Sequence, residues 1–294
     1  MPPGVRSRDL AARGLPADAR YAFFAILMLN FTKMNGAGND FVMVDNRDGS
    51  LALTGAQIAR LCDRHRGIGA DGLLAVEPAQ NGADFRMRYY NADGGEAEMC
   101  GNGARCFARF ARKVSGQTGD LSFETLAGVI TAKFLGDLVE IQMSAPHSLR
   151  LNDKLHAGGE VLHVHSVNTG VPHAVVFVDD LENTDVHDLG RALRYHAHFA
   201  PKGTNANFVQ QRAADTIAIR TYERGVEGET LACGTGMVAC ALLFHERTGA
   251  ASPVQVQVRG GETLRIGFTK TAGGYASVTL TGPADFVFDG TTAA

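Results

Sequence analysis

The chain has 294 residues, 45% of them hydrophobic and 20% charged, with a formal net charge of −3. That balance lacks the basic excess of a nucleic-acid binder, and no stretch approaches the roughly 20 apolar residues that span a bilayer. Length sets a prior of about two domains, and five cysteines without Cys-x-x-Cys spacing read as free thiols in a reducing, cytoplasmic setting rather than a disulfide frame or a zinc knuckle.

Residues 1–27 differ from the rest. Arg6, Arg8, Arg13 and Arg20 lie among Pro, Gly and Ala, ahead of an apolar run at 21–27. A secretory signal is one reading, but the run is short and no small-residue cleavage site follows. The segment is read as an N-terminal extension, disordered or produced by an upstream start codon, with Met28 opening the fold.

In chain order, a strand is expected over 29–34, then a Gly turn at 35–38 and a β-branched strand ending at Asp45. An amphipathic helix is expected over 57–64 and a strand around 87–90. After Cys100, Ala104, Phe107, Ala108, Ala111 and Val114 fall at helical spacing. A Gly turn at 168–171 feeds a strand ending at Asp179, and a helix is expected over 186–194. After Cys233 the run 237–244 is apolar nearly all round, which marks a buried helix, with Gly249 as its stop. Strands are expected over 254–258, 263–268, 275–281 and 285–288.

The chain reads as a tandem duplication. Glu96-Ala97-Glu98-Met99-Cys100-Gly101-Asn102-Gly103 and Glu229-Thr230-Leu231-Ala232-Cys233-Gly234-Thr235-Gly236 place their cysteines 133 residues apart. The Gly turn at 35–38, the Gly69-Ala70-Asp71-Gly72 turn and the strand Met87-Arg88-Tyr89-Tyr90 have counterparts at nearly the same offset and in the same order. Each half should hold strands wrapped about a central helix whose start carries a cysteine.

A thiolate is the reactive form of cysteine, and an ordinary thiol titrates near pH ~8.5. A helix N-terminus offers partial positive charge and unpaired N–H groups, so each Cys-Gly-x-Gly junction is expected to lower its thiol and to bind part of an anion. Gly-x-Gly clears side chains so that a ligand can approach. If the halves face each other, one thiolate can remove an α-proton while the other thiol protonates the opposite face. Cys62, Cys106 and Cys240 read as small buried hydrophobes. Glu96 and Glu229 read as turn or capping residues. His163-x-His165 and His196-x-His198 lack further ligands at metal spacing, so no metal is expected.

Six segments then carry a family resemblance: Lys33-Met34-Asn35-Gly36-Ala37-Gly38-Asn39-Asp40-Phe41, Arg64-His65-Arg66-Gly67-Ile68-Gly69-Ala70-Asp71-Gly72, Tyr90-Asn91-Ala92-Asp93-Gly94, Cys100-Gly101-Asn102-Gly103-Ala104-Arg105, Tyr222-Glu223-Arg224-Gly225 and Cys233-Gly234-Thr235-Gly236. Together they resemble the diaminopimelate epimerase family, from about residue 29 to near the C-terminus. The resemblance implies an α/β fold of the α+β type, with two pseudo-symmetric domains, each a mostly antiparallel barrel-like sheet around a central helix. The boundaries expected are 28–144 with 279–294 for the first and 145–278 for the second. It implies an isomerase that interconverts LL- and meso-2,6-diaminopimelate, on the route to lysine and peptidoglycan, with no cofactor, no nucleic-acid or membrane partner, and a homodimeric state.

By the same resemblance Cys100 and Cys233 are the acid/base pair, with His173 and Glu223 as polar residues beside the reacting centre. Asn39, Asn91, Asn205 and Arg224 are substrate contacts, and the amides of Gly101, Asn102, Gly234 and Thr235 hold the reacting carboxylate. Gly72 and Val171 stand where some members have Gln and Asn. Three other readings stay open on the sequence: a two-thiol racemase of a one-carboxylate amino acid, a non-catalytic amino-acid-binding protein, and a pyridoxal-phosphate enzyme.

Overall fold

Each half of the chain repeats one order of elements. In the computed structural model, which describes residues 28–293, the first half comprises β1 (Met28–Gly36), β2 (Asn39–Asp45), α1 (Gly55–Cys62), β3 (Gly72–Pro78), β4 (Phe85–Asn91), α2 (Gly101–Ser115), β5 (Leu121–Thr125), β6 (Gly128–Leu135) and β7 (Leu138–Gln142). After β8 (His147–Ala157), the second half comprises β9 (Glu160–Asn168), β10 (Pro172–Phe177), α3 (Val186–Arg194), β11 (Asn205–Gln211), β12 (Thr216–Glu223), β13 (Gly228–Thr230), α4 (Gly234–Thr248), β14 (Val254–Gln257), β15 (Thr263–Thr271) and β16 (Gly274–Pro283), and β17 (Asp285–Ala293) closes the chain. The extension expected over 1–27 lies outside the described residues.

Strand pairing runs unbroken from β17 through β1, β2, β3, β4, β5 and β6 to β7. It crosses to the second half where β7 pairs with β16, and continues through β15, β14, β12, β11, β10 and β9 to β8. Only β2–β3, β4–β5, β10–β11 and β12–β14 are parallel. A parallel pair needs a crossover, and those four connections carry α1, α2, α3 and α4 in turn. Helix placement therefore follows from pairing sense. The trailing strand of each half serves the other: β8 pairs with β9, and β17 returns to β1.

The sheets wrap α2 and α4. Helix α2 packs on β1, β2, β3, β4, β7 and β16, and α4 on β9, β10, β11, β12, β14, β15 and β16. Every residue from Met237 to Phe244 is buried, as the all-round apolar run required. Phe107 of α2 is fully buried and its ring lies 4.7 Å from that of Phe123. Both helices stop at a glycine in the left-handed region, Gly116 and Gly249, each at φ 73°. One continuous apolar core holds both helices, while α1 and α3 cover separate clusters on the outer faces of the sheets.

Three boundaries, in two elements, depart most from expectation. Helix α1 starts at Gly55, because Thr54 and Gln57 form a reciprocal capping box. It ends at Cys62, because the Asp63 carboxylate accepts from the amides of His65 and Arg66 and turns the chain away. Strand β17 runs on to Ala293 rather than 288, since β1 offers it partners as far as Met28.

Phe107→Ala should destabilise the fold by about 3–5 kcal/mol, as expected for a buried aromatic that leaves a cavity. Leu126→Ala, at an exposed site, should change stability by less than about 0.5 kcal/mol. Urea unfolding of both variants checks this, and equal small effects would contradict the core assignment.

Candidate active site

Cys100 and Cys233 are the N-cap residues of α2 and α4, both extended, at φ −135°, ψ 122° and φ −119°, ψ 109°. The two helix starts abut across the seam between the halves. A Cβ on Gly234 would stand 3.4 Å from the Gly101 Cα, and Asn102 Nδ2 donates to the Ala232 carbonyl at 3.4 Å. The glycines also serve packing as well as ligand approach. A Cβ on Gly103 would meet Leu74 and Phe41 at 3.2–3.3 Å, and one on Gly236 would meet Asn207 Oδ1 at 2.6 Å.

Around Cys100, Asn39 is the nearest polar side chain. The Cys100 thiol donates to Asn39 Oδ1 at 3.4 Å, while Asn39 Nδ2 donates to Asp71 Oδ2 at 2.5 Å. Asp71 is paired with Arg64, and Arg64 with Asp40, which also pairs with the buried Lys33 at 2.7 Å. Burial would raise the Asp40 carboxyl, but hydrogen bonds from Arg64 and Lys33 hold it well below the usual carboxylate range. Asn39 is thus anchored to an ionic network that motif reading did not single out. Its signal was the charged pattern around the Gly69–Gly72 turn.

Around Cys233, the Thr235 hydroxyl lies 3.7 Å from the sulfur and 3.0 Å from His173 Nε2. The Thr169 hydroxyl donates to the Thr235 carbonyl at 2.9 Å. His173 is fully enclosed, and burial, followed by the nearby Arg224 charge, lowers it from 6.5 to about 3. The ring is neutral at physiological pH. Glu223 accepts from the Thr230 hydroxyl at 2.9 Å, and burial raises its carboxyl above the ordinary value.

The thiols differ from expectation. Both are raised, chiefly by burial, and the Glu223 charge adds to the rise. Neither sulfur makes a well-aligned capping hydrogen bond. The amides of Gly103 and Asn102 at Cys100, and the Thr235 hydroxyl and Gly236 amide at Cys233, oppose the rise without overcoming it. Removing a sulfur from water outweighs what a helix start returns.

Asn205 is occupied by backbone: Oδ1 accepts from the Arg224 amide at 2.8 Å, and Nδ2 donates to the Pro172 carbonyl at 3.3 Å. It therefore ties the Arg224 turn to the strand that carries His173. Arg224 lies just past β12, with Nη1 3.4 Å from the Lys202 carbonyl. Asn91 is exposed in a turn closed by its carbonyl and the Gly94 amide. The side-chain hydrogen bonds of the two cysteines among the described residues go to Asn39 and Thr235, not to Asn91 or Arg224. Glu96 and Glu229 are not caps: they pair with Arg88 at 2.6 Å and Arg220 at 2.7 Å, one matched pair per half. Cys62, Cys106 and Cys240 are buried.

Motif reading also gave no role to Arg105, a fully buried guanidinium in the first turns of α2. It donates to the Pro283 and Gly101 carbonyls and to Asn102 Oδ1 at 3.1–3.3 Å, with no carboxylate among those partners. Its one signal was an arginine among small and apolar helix residues.

The sequence pattern of the family described as diaminopimelate epimerase matches residues 31–147 and 165–287. This chain belongs to the diaminopimelate epimerase family. It is 44% identical over 272 residues to the diaminopimelate epimerase of Hydrogenobaculum sp., covering 88% of this chain and 96% of that one. It is 44% identical over 274 residues to the enzyme of that name from Aquifex aeolicus, covering 89% and 97%. Among solved structures, a hydroxyproline epimerase from Agrobacterium vitis superposes with a TM-score of 0.67 at 18% identity, covering 90% of this chain and 92% of that one. A Bacillus anthracis phenazine biosynthesis protein of the PhzF family gives 0.67 at 16%, covering 90% and 99%. These distant likenesses establish the shared α/β architecture, and with it the fold expected from the duplicated sequence.

Below pH 6.5 the unfolded chain protonates a histidine that this family member keeps neutral down to about pH 3. Stability should therefore fall as pH falls through that window. Between pH 6.5 and 5 the contribution of His173 is about 2 kcal/mol. Unfolding free energies of the wild type and His173→Gln at the two pH values check this, and the variant should lose less. Equal losses would contradict a buried neutral ring.

Proposed function

We propose that this protein interconverts LL- and meso-2,6-diaminopimelate through two thiols, in the route to lysine and peptidoglycan precursors. The observation that carries the reading is the meeting of two cysteine-capped helix starts, one from each half of the duplication. A substrate lying across that seam has one sulfur on either side of its α-carbon. The sulfur present as thiolate takes the α-proton, and the electron pair left on carbon delocalises into the adjacent carboxylate. The other thiol then delivers its proton to the opposite face, leaving the first sulfur as thiol and the second as thiolate. The configuration inverts and the proton count is unchanged. Both proton positions come from the chain itself, so the reading calls for no cofactor.

The negative charge that grows on the reacting carboxylate needs donors already in place. The amides of Gly101, Asn102, Gly234 and Thr235, at the two helix starts, suit that role. Asn39 orients Cys100, and His173 acts on Cys233 through Thr235. Glu223 places a buried carboxylate near both sulfurs and suits the substrate ammonium. At the far end, Arg224 suits a second carboxylate through a two-point ion pair, and Asn91 suits a further polar substrate contact. Asn205, whose amide is committed to backbone, serves by holding the Arg224 turn.

The same reading divides the chain into units 28–144 with 279–294, and 145–278, a division supported by the return of β17 to β1. A homodimer is supported by the apolar Phe286, Val287 and Phe288, exposed on β17, which among the described residues pairs on one edge only. A cytoplasmic setting suits five free thiols. No helix among the described residues is long and apolar enough to cross a membrane.

The purified protein should convert LL-diaminopimelate to the meso isomer without added cofactor. Cys100→Ala and Cys233→Ala should each lower kcat by roughly 10³-fold or more, since each removes one proton-transfer partner. Near-normal turnover in either variant, with the fold intact by circular dichroism, would falsify the two-thiol reading.

A further inference from the structure

Asn207 of β11 is fully buried beside the first turn of α4. Its amide is held from both ends. The Thr221 hydroxyl donates to Oδ1 at 3.0 Å, and Nδ2 donates to the Ala174 carbonyl at 2.9 Å. A carbonyl oxygen only accepts, so the nitrogen end must face Ala174. That same nitrogen lies 3.2 Å from His173 Nδ1, to which its second hydrogen is directed. In a neutral imidazole, the ring nitrogen that accepts carries no proton, so the proton of His173 sits on Nε2.

The consequence passes outward. Nε2–H donates to Thr235 Oγ1 at 3.0 Å. The hydroxyl proton of Thr235 must then point elsewhere, and the Cys233 sulfur is 3.7 Å away. The series Thr221, Asn207, His173, Thr235 therefore ends in an O–H donor aimed at Cys233. A donor facing a sulfur favours its thiolate. Cys100 faces Asn39 Oδ1, an acceptor turned toward it by Asp71, together with the amides of Gly103 and Asn102, so a side-chain hydroxyl donor is a feature of Cys233.

We propose that Asn207 is a positioning residue that locks His173 in its Nε2–H tautomer and so makes the Thr235 hydroxyl a donor to Cys233. The kinetic consequence rests on the two-thiol reading, whereas the tautomer does not. The packing of Asn207 against Gly236 fits this role, because a Cβ there would displace the amide.

Long-range ¹H–¹⁵N spectra of ¹⁵N-histidine-labelled protein read the tautomer directly, with His173 assigned by its loss in His173→Gln. The wild type should show Nε2 protonated and Nδ1 bare. Asn207→Asp puts acceptors where the donor was and should move the proton to Nδ1. It should lower kcat by about tenfold or more, the effect of one pK unit on Cys233, while KM stays within about twofold. Asn207→Ala should give mixed tautomers and an intermediate kcat, which serves if the charged variant does not fold. A wild-type His173 protonated on Nδ1 would overturn the proposal. So would variants that keep the Nε2–H signature, whatever their activity. The spectrum needs no turnover, so failure of the tautomer assignment is told apart from failure of the two-thiol reading, which would show as activity surviving in Cys233→Ala.

Discussion

Two helix N-termini pressed against each other govern this molecule. Helices α2 and α4 meet at Gly101 and Gly234, and each start carries partial positive charge and amides that no intrahelical carbonyl satisfies. Like ends of two dipoles repel, and burying them keeps water from answering. The arrangement is tolerable where anionic groups belong at the junction. A thiolate and a carboxylate are groups of that kind. The surrounding sheet keeps both starts in place: β7 and β16 join the halves beside them, and β17 returns to close the first half.

Electrostatics at the junction is a contest rather than a simple lowering of thiol acidity. Burial raises both cysteines, and Glu223 adds to it. A pre-placed donor helps most with charge that arrives with a ligand or develops during a reaction, and the two helix starts are suited to that rather than to lowering the resting thiols. The thiols remain the stronger acids compared with an amino-acid α-carbon, so the larger demand falls on stabilising the carbanion. The polar groups around the sulfurs differ between halves even though the backbone repeats. Asn39 is tied to Asp71, while His173 is tied to Asn207. A pseudo-symmetric scaffold thus presents two thiols in chemically unequal surroundings.

Much of the architecture was legible because duplication makes one pattern testify twice. The shared offset predicted matching halves, the all-round apolar run after Cys233 predicted a buried helix, and Gly249 predicted its stop. The ends of α1 were misplaced because Thr54 caps it earlier than its apolar spacing implies, and Asp63 turns the chain sooner. Motif reading named Cys100, Cys233 and the residues nearest them, but the groups that orient them were hidden. Asp71 is 32 residues from Asn39, and Asn207 is 34 from His173. Only strand pairing brings them together. Glu96 and Glu229, read from sequence as turn or capping residues, instead pair with Arg88 and Arg220, partners that spacing alone does not disclose.

In the proposed reaction one sulfur takes a proton from one face of the α-carbon and the other gives a different proton to the opposite face. The isotope content of both isomers early in a reaction of LL-diaminopimelate in D₂O tests this. Deuterium should appear at the inverted α-carbon of newly formed meso product, while unreacted LL substrate stays protiated. Meso product that retains the substrate's own α-proton would mean that a single group carries the proton across, and would rule out two thiols acting on opposite faces.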